Sequence, residues 1–269
     1  MAAEDEITGV RGLCTYGNFI YALYDVGWTS TRLCIFNGTD DLAVLYDGPL
    51  PEVVDPHSLW VGEGHMLVTS TGTDELLAYE LRDEFPLGSP RIVWRASSAK
   101  ADTHHLNSVA VHEGHVLVSA FGLRSGELWR TAERGYIYDV TASQVVITDL
   151  HHPHSLKAAL NDVFYIESSR QVLRSFKGTR INLSGYLRGC GLLDETTMLV
   201  GTNVARTTSK STGIVHNDRW WYADEGELPV GECTLALVNL QNSSVDRYYD
   251  LSPFGREVYD VCASLKSTT

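Results

Sequence analysis

The stretch DPHSLWVGEGHMLVTSTGT, Asp55 to Thr73, returns in altered form along the chain, and this self-similarity limits the possible folds more than any other feature. Two short apolar runs, Ser58 to Val61 and Met66 to Ser70, flank Gly62-Glu63-Gly64-His65. That is the form of two antiparallel strands joined by a tight hairpin. The layout recurs from Asn107 (NSVAVHEGHVLVSAFG), His154 (HSLKAALNDVFYIESS) and Gly189 (GCGLLDETTMLVGTN), and from Arg11 with one turn residue fewer. Each copy is followed by two more strand-like runs, as in Glu75 to Leu81 with Arg91 to Arg95. Four strands per repeat, at roughly 35 to 50 residues each, predict an all-β fold: a β-propeller of four-stranded blades. Five blades are expected, with six as the alternative.

The expected blades cover residues 9–49, 55–96, 105–150, 152–184 and 187–251 of a single domain spanning 1–269. The fifth is stretched by an insert at 204–231 that carries Trp220, Trp221 and Tyr222. Long polar inserts in compact domains are commonly functional, so this one is read as a lid or a partner-binding loop. After it, EVYDVCASL from Glu257 again reads as a first strand, expected either to begin a sixth blade or to join the first. A closed sheet needs such a device, because an unclosed one leaves edges exposed.

A net charge of -13 argues against a nucleic-acid or anionic-membrane surface, which needs clustered Lys and Arg. No run of about 18 apolar residues is present, and MAAEDEITGV is acidic where a secretory signal is basic. A cytosolic location is expected. Cys14, Cys34, Cys190, Cys233 and Cys262 are dispersed, without CxxC spacing, and read as reduced thiols in apolar strands. P-loop, GxSxG and Rossmann glycine patterns are absent, which excludes the commonest nucleotide-dependent and serine-hydrolase designs.

Equivalent repeat positions must ring one mouth of a propeller channel. Here that ring reads Arg11 or Gly12, His57, Asn107, His154 and Gly189, and two residues earlier Asp55, His105, His152 and Leu187. Imidazoles converging from separate strands suit a divalent transition metal such as Zn, Fe, Cu or Mn. His57, His105 and His154 are the expected ligands, with Asp55 and His152 as a fourth ligand, a supporting partner or a general base. The plainer reading is that a His before a strand hydrogen-bonds a neighbouring blade, and that the repeated His-Ser pair is structural. His65, His112 and His115 fall at the opposite hairpin turns and are expected to be exposed.

Loops between second and third strands open on the same face as the ring. Arg124, Arg170 and Arg206 lie in such loops and, with Arg11 and Arg188, are expected to crown the mouth over Asn107. Several guanidiniums there favour a small anionic substrate bearing a carboxylate or phosphate. Arg188 is placed with Asp55 and His152 in the catalytic set, and Arg11, Asn107, Arg124, Arg170, Trp220 and Trp221 are expected to bind the substrate.

The repeats resemble those of NHL and gluconolactonase-type propellers, and the PHSL pairs resemble the P-H-S element of bacterial propellers of unknown function. One His per blade meeting at a channel metal resembles peptidyl-amidoglycolate lyase, whose zinc is held that way. The chain departs from gluconolactonases, which use acidic and Asn ligands where His57 and His154 stand. The resemblance implies the architecture and the place of a metal, and the substrate does not carry over.

The expected function is therefore a metal-dependent lyase or hydrolase acting on a small molecule at the channel mouth. One alternative is a non-catalytic propeller that binds a partner through the same face. A second is a glycosidase using channel carboxylates, for which Asp25, Asp55, Asp74 and Glu167 are the candidates.

Overall fold

A computed structural model describes residues 7–27, 30–39, 41–203, 233–255 and 257–263. Its strands form five four-stranded antiparallel sheets, each a simple meander. The first holds β1 (Ile7–Tyr16), β2 (Phe19–Val26), β3 (Ser30–Asn37) and β4 (Val44–Pro49), and the second β5 (Pro56–Gly62), β6 (His65–Ser70), β7 (Glu75–Arg82) and β8 (Phe85–Arg95). The third holds β9 (Leu106–His112), β10 (His115–Ala120), β11 (Gly135–Asp139) and β12 (Gln144–Leu150). The fourth comprises β13 (Pro153–Ala159), β14 (Asp162–Glu167), β15 (Val172–Ser175) and β16 (Arg180–Asn182). The fifth comprises β17 (Tyr186–Leu192), β18 (Thr197–Asn203), β19 (Thr234–Asn239) and β20 (Ser244–Asp250). This is the five-bladed propeller that the repeats predict.

The hairpins close as the sequence requires. Glu63 and Gly64 both have positive φ (52° and 73°), as do Leu160 and Asn161 (52° and 55°), the geometry of a type I′ turn. Second strands are buried on both faces, as in DVFYIE of β14, because each blade is sandwiched between two others. Fourth strands such as β20 are mostly exposed. The apolar core therefore lies between blades: Leu23 and Ile35 against Val61 and Val68, Leu67 against Val118, Leu117 against Val163, and Phe164 against Cys190.

The innermost strands also grip one another through the serines of the repeated pair. Ser58 Oγ accepts from Val109 N of the next blade at 3.4 Å, and Ser108 Oγ accepts from Leu156 N at 3.1 Å. That part of the motif is structural.

Between the fifth and first blades residues 257–263 complete the ring without joining either sheet. Asn203 Nδ2 donates to Val258 O at 3.0 Å, and Leu13 N donates to Asp260 Oδ2 at 2.8 Å. Glycines of β17 make the room: a Cβ on Gly189 would stand 2.5 Å from Asp260 Cα, and one on Gly191 2.6 Å from Val261 O. The segment expected to begin a sixth blade or to join the first is thus a wedge between blades, with no strand among its described residues. Among the described residues no helix is long and apolar enough to cross a membrane, and all five cysteines are free.

Candidate functional site

Each innermost strand carries an irregularity in its pairing near the channel mouth. Register shifts leave Arg11, His57, Asn107 and Gly189 opposite no partner, and in β13 the shift falls between His154 and Lys157. Bulges re-aim side chains, and here they turn the ring residues toward the axis. The residues two positions earlier, Asp55, His105 and His152, are all left-handed (φ 46°, 53° and 53°). Asp and His tolerate that region better than most residues, so their recurrence there has a backbone cause as well as a chemical one.

A small cavity is lined by His57, Asn107, His154, Tyr259, Lys157 and Asp260, with Ser58, Ser108, Ser155 and Leu156 between them. His57 Nδ1 accepts from Asn107 Nδ2 at 3.1 Å, which leaves the proton on Nε2, 3.8 Å from Asp55. His154 Nδ1 donates to His152 O at 2.9 Å and also lies 2.6 Å from Ser168 Oγ. Its Nε2 then carries the lone pair. His154 is 4% exposed, and its Nε2 has no hydrogen-bond partner in the protein.

Two further buried atoms in this place share that condition, Arg188 Nη1 and Tyr259 Oη. The Arg188 guanidinium lies 4.5 Å from the Tyr259 ring centroid and 5.9 Å from that of Tyr186, whose ring is 5.9 Å from that of His154. Leaving a buried polar atom unpaired costs about 1–3 kcal/mol. Two of these atoms belong to residues that line the cavity, His154 and Tyr259, and Arg188 stacks on the Tyr259 ring beside it, which marks a place shaped for something polar.

The donor geometry does not fit the expected metal. Phe121 packs against His105, His152 and His154 at centroid separations of 4.6, 4.6 and 5.1 Å, so an apolar ring sits among the imidazoles. His105 Nδ1 bonds Asp102 at 3.0 Å, and His152 Nδ1 bonds Tyr186 Oη at 3.2 Å. Among the described residues no three His, Cys, Asp or Glu side chains are gathered so as to hold an ion. His57, His105 and His154 therefore form no metal centre in this arrangement, and Asp55 and His152 complete none.

Other expectations also change. Arg124 is exposed, donating to Glu127 O at 2.9 Å and lying 4.7 Å from the Trp129 ring centroid, so it stiffens its own loop. Arg170 pairs with Glu167 at 3.5 Å. Trp220 and Trp221, with Arg206 and His216, lie outside the described residues. Arg11 stands at the mouth, held by Asp25 at 2.6 Å and Asp55 at 3.8 Å.

The glycosidase alternative loses its carboxylates to structural duties. Asp25 holds Arg11, and Asp74 accepts from Thr103 N and His104 N at 2.9 and 3.0 Å. Glu167, 1% exposed, holds Arg174 at 2.6 Å. Only Asp55, its side chain 42% exposed, faces the mouth.

The family described as "Domain of unknown function (DUF4915)" matches residues 34–268. The chain belongs to the DUF4915 family. No curated protein matches it. Solved structures similar to this DUF4915 member include a nidogen/laminin complex, at TM-score 0.63 and 8% identity, covering 94% of this chain and 84% of that one. A luciferin-regenerating enzyme aligns at TM-score 0.62 and 9% identity, covering 94% and 78%. A putative 6-phosphogluconolactonase from Bacteroides fragilis NCTC 9343 aligns at 0.52 and 10%, covering 88% and 70%. At these identities the likeness shows the propeller fold.

In the DUF4915 site burial keeps His57, His152 and His154 neutral at pH 7. Burial pushes His57 down to about 4 against the pull of Asp55, and pushes His152 down to about 3, aided by His105 and His151. Burial and then the Arg188 charge hold His154 well below its usual value. Burial would raise the Asp55 carboxyl, but His57, Arg11 and His105 together keep it low. Each depressed His takes up a proton in the unfolded chain near pH 6.5 but not in the folded one. Stability is therefore complete above that pH. It is expected to fall by about 1.4 kcal/mol per pH unit per group as pH drops from 6 toward 4. Urea midpoints measured from pH 8 to 5 check this, and a flat profile would show the imidazoles to be solvated.

Sequence reasoning missed Tyr259, Tyr186, Phe121 and Lys157. The first-strand pattern of EVYDV was the available signal for Tyr259.

Proposed function

We propose that this protein is a hydrolase that opens a small anionic ester or lactone at the mouth of the axial cavity. The observation that carries this reading is that His154 Nε2, Arg188 Nη1 and Tyr259 Oη are all buried and unpaired in neighbouring side chains, His154 and Tyr259 lining the cavity and Arg188 stacked on Tyr259 at 4.5 Å. Arg188 binds the anionic group of the substrate, in the manner of charge-assisted recognition. Neutral His154, fixed through Nδ1, takes a proton from water at Nε2 as the water oxygen bonds to the acyl carbon. The proton then passes to the leaving oxygen as the acyl–oxygen bond breaks. Asp55 keeps the Nε2–H of His57 toward itself and so holds the Asn107–His57 pair in one orientation.

The putative 6-phosphogluconolactonase of the same fold suggests the probe. Opening of 6-phosphogluconolactone and of unphosphorylated gluconolactone is followed by acid release above the spontaneous rate. The phosphorylated lactone is expected to be favoured by roughly 10- to 100-fold in kcat/KM, the worth of one hydrogen bond to a charged group. Arg188→Met is expected to erase that preference and to leave Tm unchanged or higher. Failure to open either lactone overturns the reading, and binding of 6-phosphogluconate without turnover would make the site a receptor.

A further inference from the structure

The wedge that closes the ring also reaches the site. Val258 is clamped in both directions by Asn203, whose Nδ2 donates to Val258 O at 3.0 Å and whose Oδ1 accepts from Val258 N at 2.5 Å. Asp260 is pinned by Leu13 N and by Val261 N, each at 2.8 Å. Tyr259 lies between these two fixed points and lines the cavity with His57, Asn107 and His154. Its ring has the Arg188 guanidinium at 4.5 Å, the Arg11 guanidinium at 5.6 Å and the His57 ring edge-on at 5.8 Å.

For packing alone a phenyl ring would serve. The phenol oxygen is buried with no partner in the protein, although its neighbours include two arginines and three polar side chains. A hydroxyl so placed has a proton to donate to a polar group that occupies the cavity. The Arg188 guanidinium makes that place favourable for negative charge, while Arg11 is already paired with Asp25 and Asp55.

We propose that Tyr259 is a catalytic residue of this site, its phenol O–H donating to the carbonyl oxygen of the substrate as negative charge gathers there. This rests on the hydrolase reading above. As water loses its proton to His154 Nε2 and bonds to the acyl carbon, the carbonyl π pair moves onto oxygen, where Tyr259 meets it without giving up its proton. The pair returns as the bond to the leaving oxygen breaks, and the proton on His154 goes to that oxygen. The donor is thus supplied by the segment that closes the ring, so the site is complete only when residues 257–263 are docked.

The test compares wild type with Tyr259→Phe in Tm and in kcat on 6-phosphogluconolactone. Expected are a Tm equal to or above that of the wild type, because an unpaired buried hydroxyl is removed, and a kcat lower by about 10²- to 10³-fold, as for the loss of one oxyanion donor. Equal kcat in the two proteins overturns the assignment and leaves the hydrolase reading standing. A kcat that falls only together with several degrees of Tm makes Tyr259 structural and also overturns it. Wild type that leaves the lactone intact overturns the hydrolase reading itself.

Discussion

His154→Asn is expected to lower kcat on 6-phosphogluconolactone by about 10²- to 10⁴-fold, the range for loss of a positioned general base. The choice of asparagine matters. Its amide nitrogen falls near the place of imidazole Nδ1 and can still donate to His152 O, the 2.9 Å bond that orients the ring. What the variant lacks is Nε2, the atom that meets no partner in the protein. Stability should therefore change little while turnover collapses. A variant that unfolds would show His154 to be a core residue first, and one that retains turnover would show that another group moves the proton. The steady-state rate with a parallel melting curve separates these outcomes.

Gly189→Ala is expected to destabilise the protein by about 2–5 kcal/mol, from left-handed strain and overpacking together. Its φ of 63° lies in the left-handed region, and an added Cβ would come within 2.5 Å of the Asp260 main chain. Neither the segment nor the strand can give way cheaply, because Leu13 and Asn203 hold 257–263 from both sides. Displacing that segment should also withdraw Tyr259, so the fraction that stays folded should turn over as slowly as Tyr259→Phe. Gly9→Ala is the control: it too lies in β1 or β17, the strands flanking the wedge, but nothing stands within 4 Å of its Cβ. Urea unfolding of the two variants side by side measures the difference, and equal midpoints would mean that the wedge is not needed for closure.

The blades were legible because they are local. Each hairpin is written in a few residues, such as Glu63-Gly64 and Glu113-Gly114, whose positive φ values close the turns that the apolar runs predict. The ring of first positions was legible for the same reason, and Arg11, His57, Asn107 and Gly189 do fall at register shifts. His154 sits one step off, since in β13 the shift falls after it, and an ungapped comparison of repeats does not register where a bulge opens.

The arginine crown misled because loop position does not reveal a partner's distance. Arg170 is three residues from Glu167, a local pair that could have been noticed, and Arg124 is three from Glu127, whose carbonyl it takes. Phe121, which reads as one more apolar strand-end residue, stands among the imidazoles of His105, His152 and His154, and no local pattern announces it. Tyr259 was beyond reach for a different reason. Its place depends on contacts such as Leu13 with Asp260, nearly the whole chain apart, and no local pattern encodes a pairing of that span.

The most direct test of the account is the protonation state of His154, read by imidazole nitrogen NMR at pH 7 with and without 6-phosphogluconate. The account predicts a neutral ring protonated at Nδ1, with an Nε2 signal that moves when the ligand is added to wild type and stays in place in Arg188→Met. A charged ring, a proton on Nε2, or a signal indifferent to the ligand would contradict it.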